Sequence, residues 1–309
     1  MKILFMGTPD FAVPSLAALL SAGHEICGVF TQPDRPKNRG MKLQAPPVKE
    51  FAVSHNIPVY QPESVKDGAA LDIIRSLEPE LIAVAAYGRI LPEEILNYPP
   101  MGCINVHSSL LPKYRGSAPI HWAILNGDCQ SGVTIMHMAK KMDAGDIIAQ
   151  QATPIDPNET VEMLHDRLAQ IGAELLVQVV EQLRTNTAVR TPQDDSQVTY
   201  APMLSRELSP LDWTRSAKQL HDQVRGLVPW PATTTDLFSR EPVKIFEVEE
   251  LSKSSSAQPG TILAAGNAGI DVVCGDGMVL RIKQLQAQGG KRMSAGDYLR
   301  GHPIDLNKE

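Results

Sequence analysis

The first half of the chain alternates short apolar runs with segments of helical periodicity, and this alternation constrains the fold most. Apolar runs typical of strands lie at residues 2–6, 25–31, 58–60, 81–86, 103–107 and 132–137. Helical patterns lie between them at residues 11–22, 48–55, 67–77, 92–96 and 119–126. The alternation predicts an α/β, Rossmann-like domain with right-handed crossovers, a mostly parallel sheet and flanking helices. In such sheets ligands bind beyond the carboxyl ends of the strands.

The second half of the chain has a different texture. A long helical pattern at residues 159–183 is followed by a polar segment with Pro192 and Pro202, which is typical of a linker. After one more helical pattern, Gly-rich sequence with short Val/Ile runs predicts a small, OB-like β-barrel. We therefore expect a first domain at residues 1–189, a linker at 190–205 and a second domain at 206–309.

Composition excludes several classes of protein. The 309 residues are 43% apolar, near the globular norm, and contain no apolar run that approaches a membrane span of about 20 residues. Four scattered Cys and the spacing of the His residues indicate neither a disulfide framework nor a metal site. The N-terminal apolar run is too short for a signal peptide, and we expect a cytoplasmic location. The formal net charge of −6 excludes a generally cationic protein that coats nucleic acid.

The turn after the first strand does not suit a dinucleotide. The sequence Gly7-Thr8-Pro9-Asp10 has one of the three glycines of G-x-G-x-x-G, and Pro9 removes an amide donor. NAD binding is therefore not expected. A tight helix-entry turn capped by Asp10 and the edge of another ligand site both remain open.

The stretch N-V-H-S-S-L-L-P at residues 105–112 is the strongest indication of chemistry. Asn105 and His107 share one face of a strand because side chains alternate, and an amide beside an imidazole suits a developing oxyanion. A carboxylate is needed to set the tautomer of the imidazole or to stabilise its charged form. Asp143 and Asp146 are the candidates, and spacing does not decide between them. The stretch lacks the G-x-S-x-G elbow of a serine hydrolase.

Residues 105–116 and M-D-A-G-D at 142–146 together resemble the folate-dependent formyltransferase family. In that family an Asn, a His and an Asp form the catalytic set, and the matching positions are Asn105, His107 and Asp143. The resemblance, rather than the spacing, thus selects Asp143. It also implies 10-formyltetrahydrofolate as the formyl donor and no metal. The residues implied to contact the folate are Ser109, Leu110, Leu111, Pro112, Tyr87, Gly88, Arg89, Ile90 and Leu91.

Two further segments resemble the members of this family that act on methionyl-tRNA. Residues 31–43 resemble their basic loop, and residues 211–231 resemble the entry to their C-terminal domain. The resemblance implies formyl transfer to initiator methionyl-tRNA for translation initiation, with residues 206–309 binding the tRNA. Residues 35–49 contain no acidic residue and form an irregular basic insertion, in which we expect Arg39 and Lys42 to contact the acceptor end.

Three alternatives remain open at this point. A sugar-nucleotide formyltransferase and a hydrolase of the folate donor would share the motif at residues 105–116, whereas a non-catalytic RNA-binding protein would need only the barrel. We expect a monomer with no obligate protein partner and no membrane association.

Overall fold

The structure, a computed structural model, describes residues 1–37 and 42–306. The strands are β1 Lys2–Gly7, β2 Glu25–Phe30, β3 Arg35–Lys37, β4 Lys42–Gln44, β5 Val59–Tyr60, β6 Leu81–Ala85, β7 Cys103–His107, β8 Arg115–Gly116, β9 Gln130–His137, β10 Ile147–Pro154, β11 Tyr200–Ala201, β12 Thr233–Thr235, β13 Val243–Ser254, β14 Ile262–Gly266, β15 Gly269–Val273, β16 Met278–Gln286 and β17 Met293–Ser294. The helices are α1 Val13–Ser21, α2 Pro47–Ser54, α3 Ala69–Leu77, α4 Glu93–Leu96, α5 Pro119–Leu125, α6 Val161–Arg184, α7 Ala217–Leu227 and α8 Ala295–Gly301.

The chain forms two compact units. The first consists of Met1–Pro119, Gln130–Pro154 and His165–Ala201. The second consists of Ile120–Cys129, Ile155–Leu164 and Pro202–Glu309. Residues 190–201, expected as part of a linker, therefore group with the first unit. Within residues 1–37 and 42–306, no helix has the length and apolar character needed to cross a bilayer.

A seven-stranded sheet forms the centre of the first unit, in the order β10-β9-β7-β6-β1-β2-β5. The strands from β7 to β5 run parallel, and β9 and β10 are antiparallel to their neighbours. All residues of β6 are buried, which explains why this strand is a continuous apolar run in the sequence. The predicted mostly parallel α/β fold is confirmed.

The strand order creates a ligand crevice at the carboxyl edge of this sheet. From β1 the chain continues to β2 on one side and later returns to β6 on the other, so the loops after β1 and β6 diverge. The register pairs Ala85 with Gly7 on one side and with Val106 on the other. His107, the last residue of β7, therefore lies at the same edge as the ends of β1 and β6.

The described part of residues 35–49, the basic segment, is more ordered than the irregular insertion that the sequence predicts. β3 and β4 pair in antiparallel fashion, with Arg35 opposite Gln44, and α2 begins at Pro47. The prediction was wrong because each strand is only three residues long and β3 contains Pro36, which is tolerated at a sheet edge but is untypical of strands. Arg39 lies outside the described residues.

An antiparallel sheet organises the second unit, in the order β12-β13-β16-β15-β14, with β17 beside β16. Buried apolar residues of β13, β15 and β16 form one core cluster with Leu220 and Val224 of α7. A capping box between Ser216 and Gln219 begins that helix. The predicted second, β-rich domain is confirmed.

A buried charge cluster lies on α7 in this unit. Asp222, only 3% exposed, accepts hydrogen bonds from Lys218 Nζ at 2.6 Å and Arg225 Nε at 2.8 Å. Next to it, His221 lines a cavity of about 620 Å³, and its Nδ1 lies 3.3 Å from Glu250 Oε1. Desolvation, reinforced by Arg225, lowers the pKa of His221 to about 4. The imidazole is therefore neutral in the folded protein at neutral pH.

The neutral state of His221 predicts a loss of stability in mild acid. The pKa of His221 is about 6.5 in the unfolded chain and about 4 in the folded one. Above pH 6.5 the residue is neutral in both states and does not oppose folding. As the pH falls from 6.5 toward 4, the unfolded chain binds the proton and the folded protein does not, so the free energy of unfolding declines. The difference corresponds to about 3 kcal/mol of unfolding free energy. We expect His221→Gln to lose less stability than the wild type between these pH values, as measured by urea denaturation. The exposed His302, changed to Gln, serves as the control; parallel curves for all three proteins would contradict the prediction.

Candidate active site

Polar side chains hold the backbone that borders the crevice between β1 and β6. Thr8 Oγ1 donates to the carbonyl of Tyr87 at 3.0 Å, and Gln32 Nε2 donates to the same carbonyl at 3.1 Å. Ala86 and Gly88, on either side of Tyr87, have φ angles of +45° and +81°, so the loop turns through the left-handed region. The loop expected to contact the folate, residues 87–91, therefore follows β6 at the switch point of the sheet.

The side chains within this loop differ in what they can offer a ligand. Tyr87 and Leu91 are buried in the core of the first unit, whereas Ile90 is 59% exposed. The Tyr87 hydroxyl has no hydrogen-bond partner among the residues described, and burial raises its pKa to about 12. Arg89 Nη1 donates to the carbonyl of Glu63 at 2.6 Å. The backbone at Gly88 and the Ile90 side chain are therefore the accessible parts of the loop.

Asn105 and His107 lie at the carboxyl end of β7, as the sequence predicts. Asn105 pairs with Val84 and Met136 in the sheet, and His107 is opposite Thr134. The Asn105 side chain is half-buried, and within the described part of the chain its carboxamide has no hydrogen-bond partner. Its two N–H donors are thus available to a ligand.

The imidazole of His107 is 6% exposed and faces two partners. Nε2 lies 3.0 Å from the carbonyl of Tyr114, and since a carbonyl only accepts, Nε2 carries a proton. Nδ1 lies 3.8 Å from Asp143 Oδ2, which is an ion-pair distance rather than a hydrogen bond. The carbonyl of Asp146, the other candidate, accepts from the His137 N–H. Asp143 is therefore the carboxylate beside His107.

The loop that carries Asp143 is tightly constrained. Asp143 has a φ of +51°, and its Oδ2 accepts the Gly116 N–H at 2.8 Å. At Gly145 a Cβ atom would collide with the carbonyl oxygen of His137. Only glycine therefore allows the backbone to pass this close to β9.

The loop after β7 is held by a polar residue that the sequence analysis did not single out. The buried Thr134 donates to the carbonyl of Ser109 at 2.6 Å and accepts the N–H of Leu111 at 3.1 Å. Gln150 Nε2 donates to the Leu111 carbonyl at 2.8 Å. The Ser109 hydroxyl donates to the Lys113 carbonyl at 2.7 Å, so residues 109–112 are held largely through backbone groups.

The basic segment supplies one cation that is already paired. Lys49 Nζ lies 2.7 Å from Asp34 Oδ2 and 2.8 Å from Gln61 Oε1, and the hydrogen bond from Lys49 lowers the pKa of Asp34. Lys42 begins β4, but its side chain and the whole of Arg39 lie outside the described residues. Elsewhere in residues 1–37 and 42–306, no group of three or more His, Cys, Asp or Glu side chains could hold a metal ion.

Comparisons with known proteins cover both units. A family model described as formyl transferase matches residues 1–180, and a model of the formyl transferase C-terminal domain matches residues 203–303. The chain is 48% identical over 309 residues to a methionyl-tRNA formyltransferase from Trichlorobacter lovleyi, covering 99% of this chain and 95% of the relative. A methionyl-tRNA formyltransferase from Desulforamulus reducens is 49% identical over 302 residues, covering 97% and 95%.

Solved structures share the fold at lower identity. The sugar 3N-formyl transferase WlaRD superposes with a TM-score of 0.69 at 20% identity, over 91% of this chain and 97% of that one. HypX from Aquifex aeolicus, in complex with tetrahydrofolic acid, has a TM-score of 0.64 at 18% identity, over 97% of this chain and 47% of that one. At these identities the likeness shows the fold alone.

Proposed function

The chain belongs to the formyl transferase family, and from this we propose that it transfers the formyl group of 10-formyltetrahydrofolate to the α-amino group of initiator methionyl-tRNA for translation initiation. The observation that carries the proposal is the match to methionyl-tRNA formyltransferases, at about 48% identity, along nearly the full length of both proteins. We assign catalysis to residues 1–189 and tRNA binding to residues 206–309; of the segment between them, residues 190–201 group with the first unit. A cytoplasmic location and a monomeric state remain predictions.

The chemistry requires a neutral amine and a stabilised oxyanion. An α-amino group has a pKa of about 7.7–8.0 in model peptides, so a useful fraction is unprotonated at neutral pH. Its attack on the formyl carbon forms a C–N bond and a tetrahedral oxyanion. Collapse of this intermediate breaks the bond to N10 of the folate, and the proton lost by the amine balances the one that N10 gains.

Three side chains are assigned to this reaction. The free N–H groups of Asn105 suit the oxyanion, as does a proton on His107. Asp143, whose Oδ2 lies 3.8 Å from His107 Nδ1, orients the imidazole and assists proton transfer. Because His107 Nε2 donates to the Tyr114 carbonyl in this structure, donation to the substrate requires an exchange of that partner. Residues 87–91 and 109–112 are assigned to the folate because their loops border the same edge of the sheet.

One assay separates the proposal from its alternatives. The protein is mixed with 10-formyltetrahydrofolate labelled in the formyl group and with methionyl-tRNA, and the label is followed. Label on the aminoacyl ester supports the proposal, whereas labelled formate released without tRNA indicates a hydrolase. Transfer to a sugar-nucleotide amine, with none to the tRNA, or no consumption of the folate at all, would overturn it.

The basic segment predicts a salt-dependent contact with the acceptor end. We expect the double change Arg39→Ala and Lys42→Ala to raise the KM for tRNA. The slope of log KM against log salt concentration should fall by about one to two, because each phosphate contact contributes somewhat less than one to that slope. The measurement is the KM for tRNA over a KCl series. Removal of the same charge at the exposed Lys66 and Arg75 is the control, and an unchanged slope in the first variant would count against the contact.

A further inference from the structure

The segment between Thr191 and Ala201 is hydrogen-bonded to both loops of the candidate site. Thr191 exchanges two backbone hydrogen bonds with Ile147, beside the Asp143 loop. The Thr199 hydroxyl accepts the N–H of Tyr114 at 2.9 Å, and the parallel pair of β11 and β8 continues this contact to Gly116. The segment thus connects the loop after β7 to the loop after β9.

Gln193 is the side chain that joins the two loops. Its Oε1 accepts hydrogen bonds from Arg115 Nε at 3.0 Å and Nη2 at 2.7 Å. Its Nε2 donates to the carbonyls of Asp143 and Gly145, each at 2.8 Å. A carboxamide has two acceptor sites and two donors, so all four are used. Only one orientation satisfies them, because the flipped amide would point its oxygen at two carbonyls.

The other end of this connection is buried. Arg115 is 2% exposed, and its Nη2 lies 3.0 Å from Asp195 Oδ1, which compensates the buried charge. The residue that follows Arg115, Gly116, donates its N–H to Asp143 Oδ2 at 2.8 Å. Hydrogen bonds therefore lead from Arg115 through Gln193 to Asp143, and from Asp143 to Gly116. The peptide bond between Arg115 and Gly116 closes this ring of contacts.

We propose that Gln193 is a positioning residue that holds the carboxylate of Asp143 against His107. The proposal rests on the catalytic set assigned under the proposed function. An aspartate at a φ of +51° keeps that conformation only where its surroundings enforce it, and here Gln193 binds the carbonyls of residues 143 and 145. Without those two bonds the loop relaxes and Asp143 moves away from His107.

Amide hydrogen exchange tests the placement of Asp143 without any substrate. In Gln193→Ala we expect the Gly116 amide, which donates to the Asp143 carboxylate, to exchange about tenfold faster or more. The neighbouring Arg115 amide donates to the Thr199 carbonyl and is the internal control, which should stay within about twofold. Unchanged exchange at Gly116 would overturn the proposal, as would equal acceleration at both amides, because equal acceleration indicates general loosening.

Steady-state kinetics test the consequence for the reaction. We expect Gln193→Ala to lower kcat by about a hundredfold, with both KM values within about twofold, because a small displacement of a catalytic group acts on the chemical step. The Gln197 side chain, in the same segment, donates to the exposed Asp194, so Gln197→Ala should keep the wild-type kcat. A wild-type kcat in Gln193→Ala would overturn the positioning role.

Gln193→Glu separates positioning from a purely structural role. This variant keeps both acceptor bonds to Arg115, and so supports the fold, but places a carboxylate oxygen against the carbonyls of residues 143 and 145. We expect a folded protein with fast exchange at Gly116 and a low kcat. Wild-type activity in this variant would show that the Arg115 bonds alone matter. Since the exchange measurement needs no reaction, it separates failure of the positioning role from failure of the proposed function.

Discussion

We expect His107→Ala to lower kcat for formyl transfer by about a hundredfold or more, because the loss of one oxyanion donor costs about 2.7–4 kcal/mol of transition-state stabilisation. The change also removes the imidazole from its place between Asp143 and the Tyr114 carbonyl. KM values for both substrates should change little, since the interaction is made mainly in the transition state. Single-turnover transfer of labelled formyl to methionyl-tRNA measures the effect.

Two controls make this result specific to His107. His55 is exposed at the end of α2, so His55→Ala should retain the wild-type rate. Because His107 is buried, the Tm of His107→Ala is measured alongside, and a folded variant is required before the rate is interpreted. Full activity in folded His107→Ala would remove His107 from the catalytic set.

Gly145→Ala is expected to impair both stability and activity. The new Cβ would collide with the carbonyl oxygen of His137, which belongs to β9 and cannot move without disturbing the sheet. Overpacking of this kind costs about 1–3 kcal/mol of unfolding free energy. The loop must shift, so the Gln193 bond to the Gly145 carbonyl is strained and Asp143 is displaced, for which we expect kcat to fall about a hundredfold.

Gly266→Ala is the matched control, since nothing lies within 4 Å of a Cβ added at that position. It should leave both kcat and the denaturation midpoint at wild-type values. If Gly145→Ala instead behaved like Gly266→Ala, the close packing of the Asp143 loop against β9 would not be a requirement of the active enzyme.

Local periodicity accounts for the parts of the fold that could be predicted from the sequence. The strand expected at residues 103–107 is β7, and the apolar positions Leu164, Leu168 and Leu175 are buried along α6 as their spacing predicts. β10 was not predicted because most of its residues are exposed or half-buried and no apolar alternation marks it. The β3–β4 hairpin was not predicted either, because its strands are too short to show a periodic pattern.

Local sequence patterns predicted only part of the candidate site. The pair Asn105 and His107 follows from the two-residue repeat of a strand, but the choice of Asp143 over Asp146 needed a family resemblance. Thr134 could have been noticed as a polar residue within an apolar strand. Gln193 carried no local signal, because its partners lie 48 to 78 residues away in the chain.

The sequence by itself determined the α/β class, the β-rich second domain and the strand end where Asn105 and His107 lie, because helix and strand periods depend on neighbouring residues. The tertiary structure decided which carboxylate faces the imidazole, which backbone groups hold residues 109–112 and how residues 191–201 connect the two loops. These contacts depend on strand order, register and close backbone approach, as at Gly145 against His137. Such long-range geometry leaves no periodic trace in a single sequence.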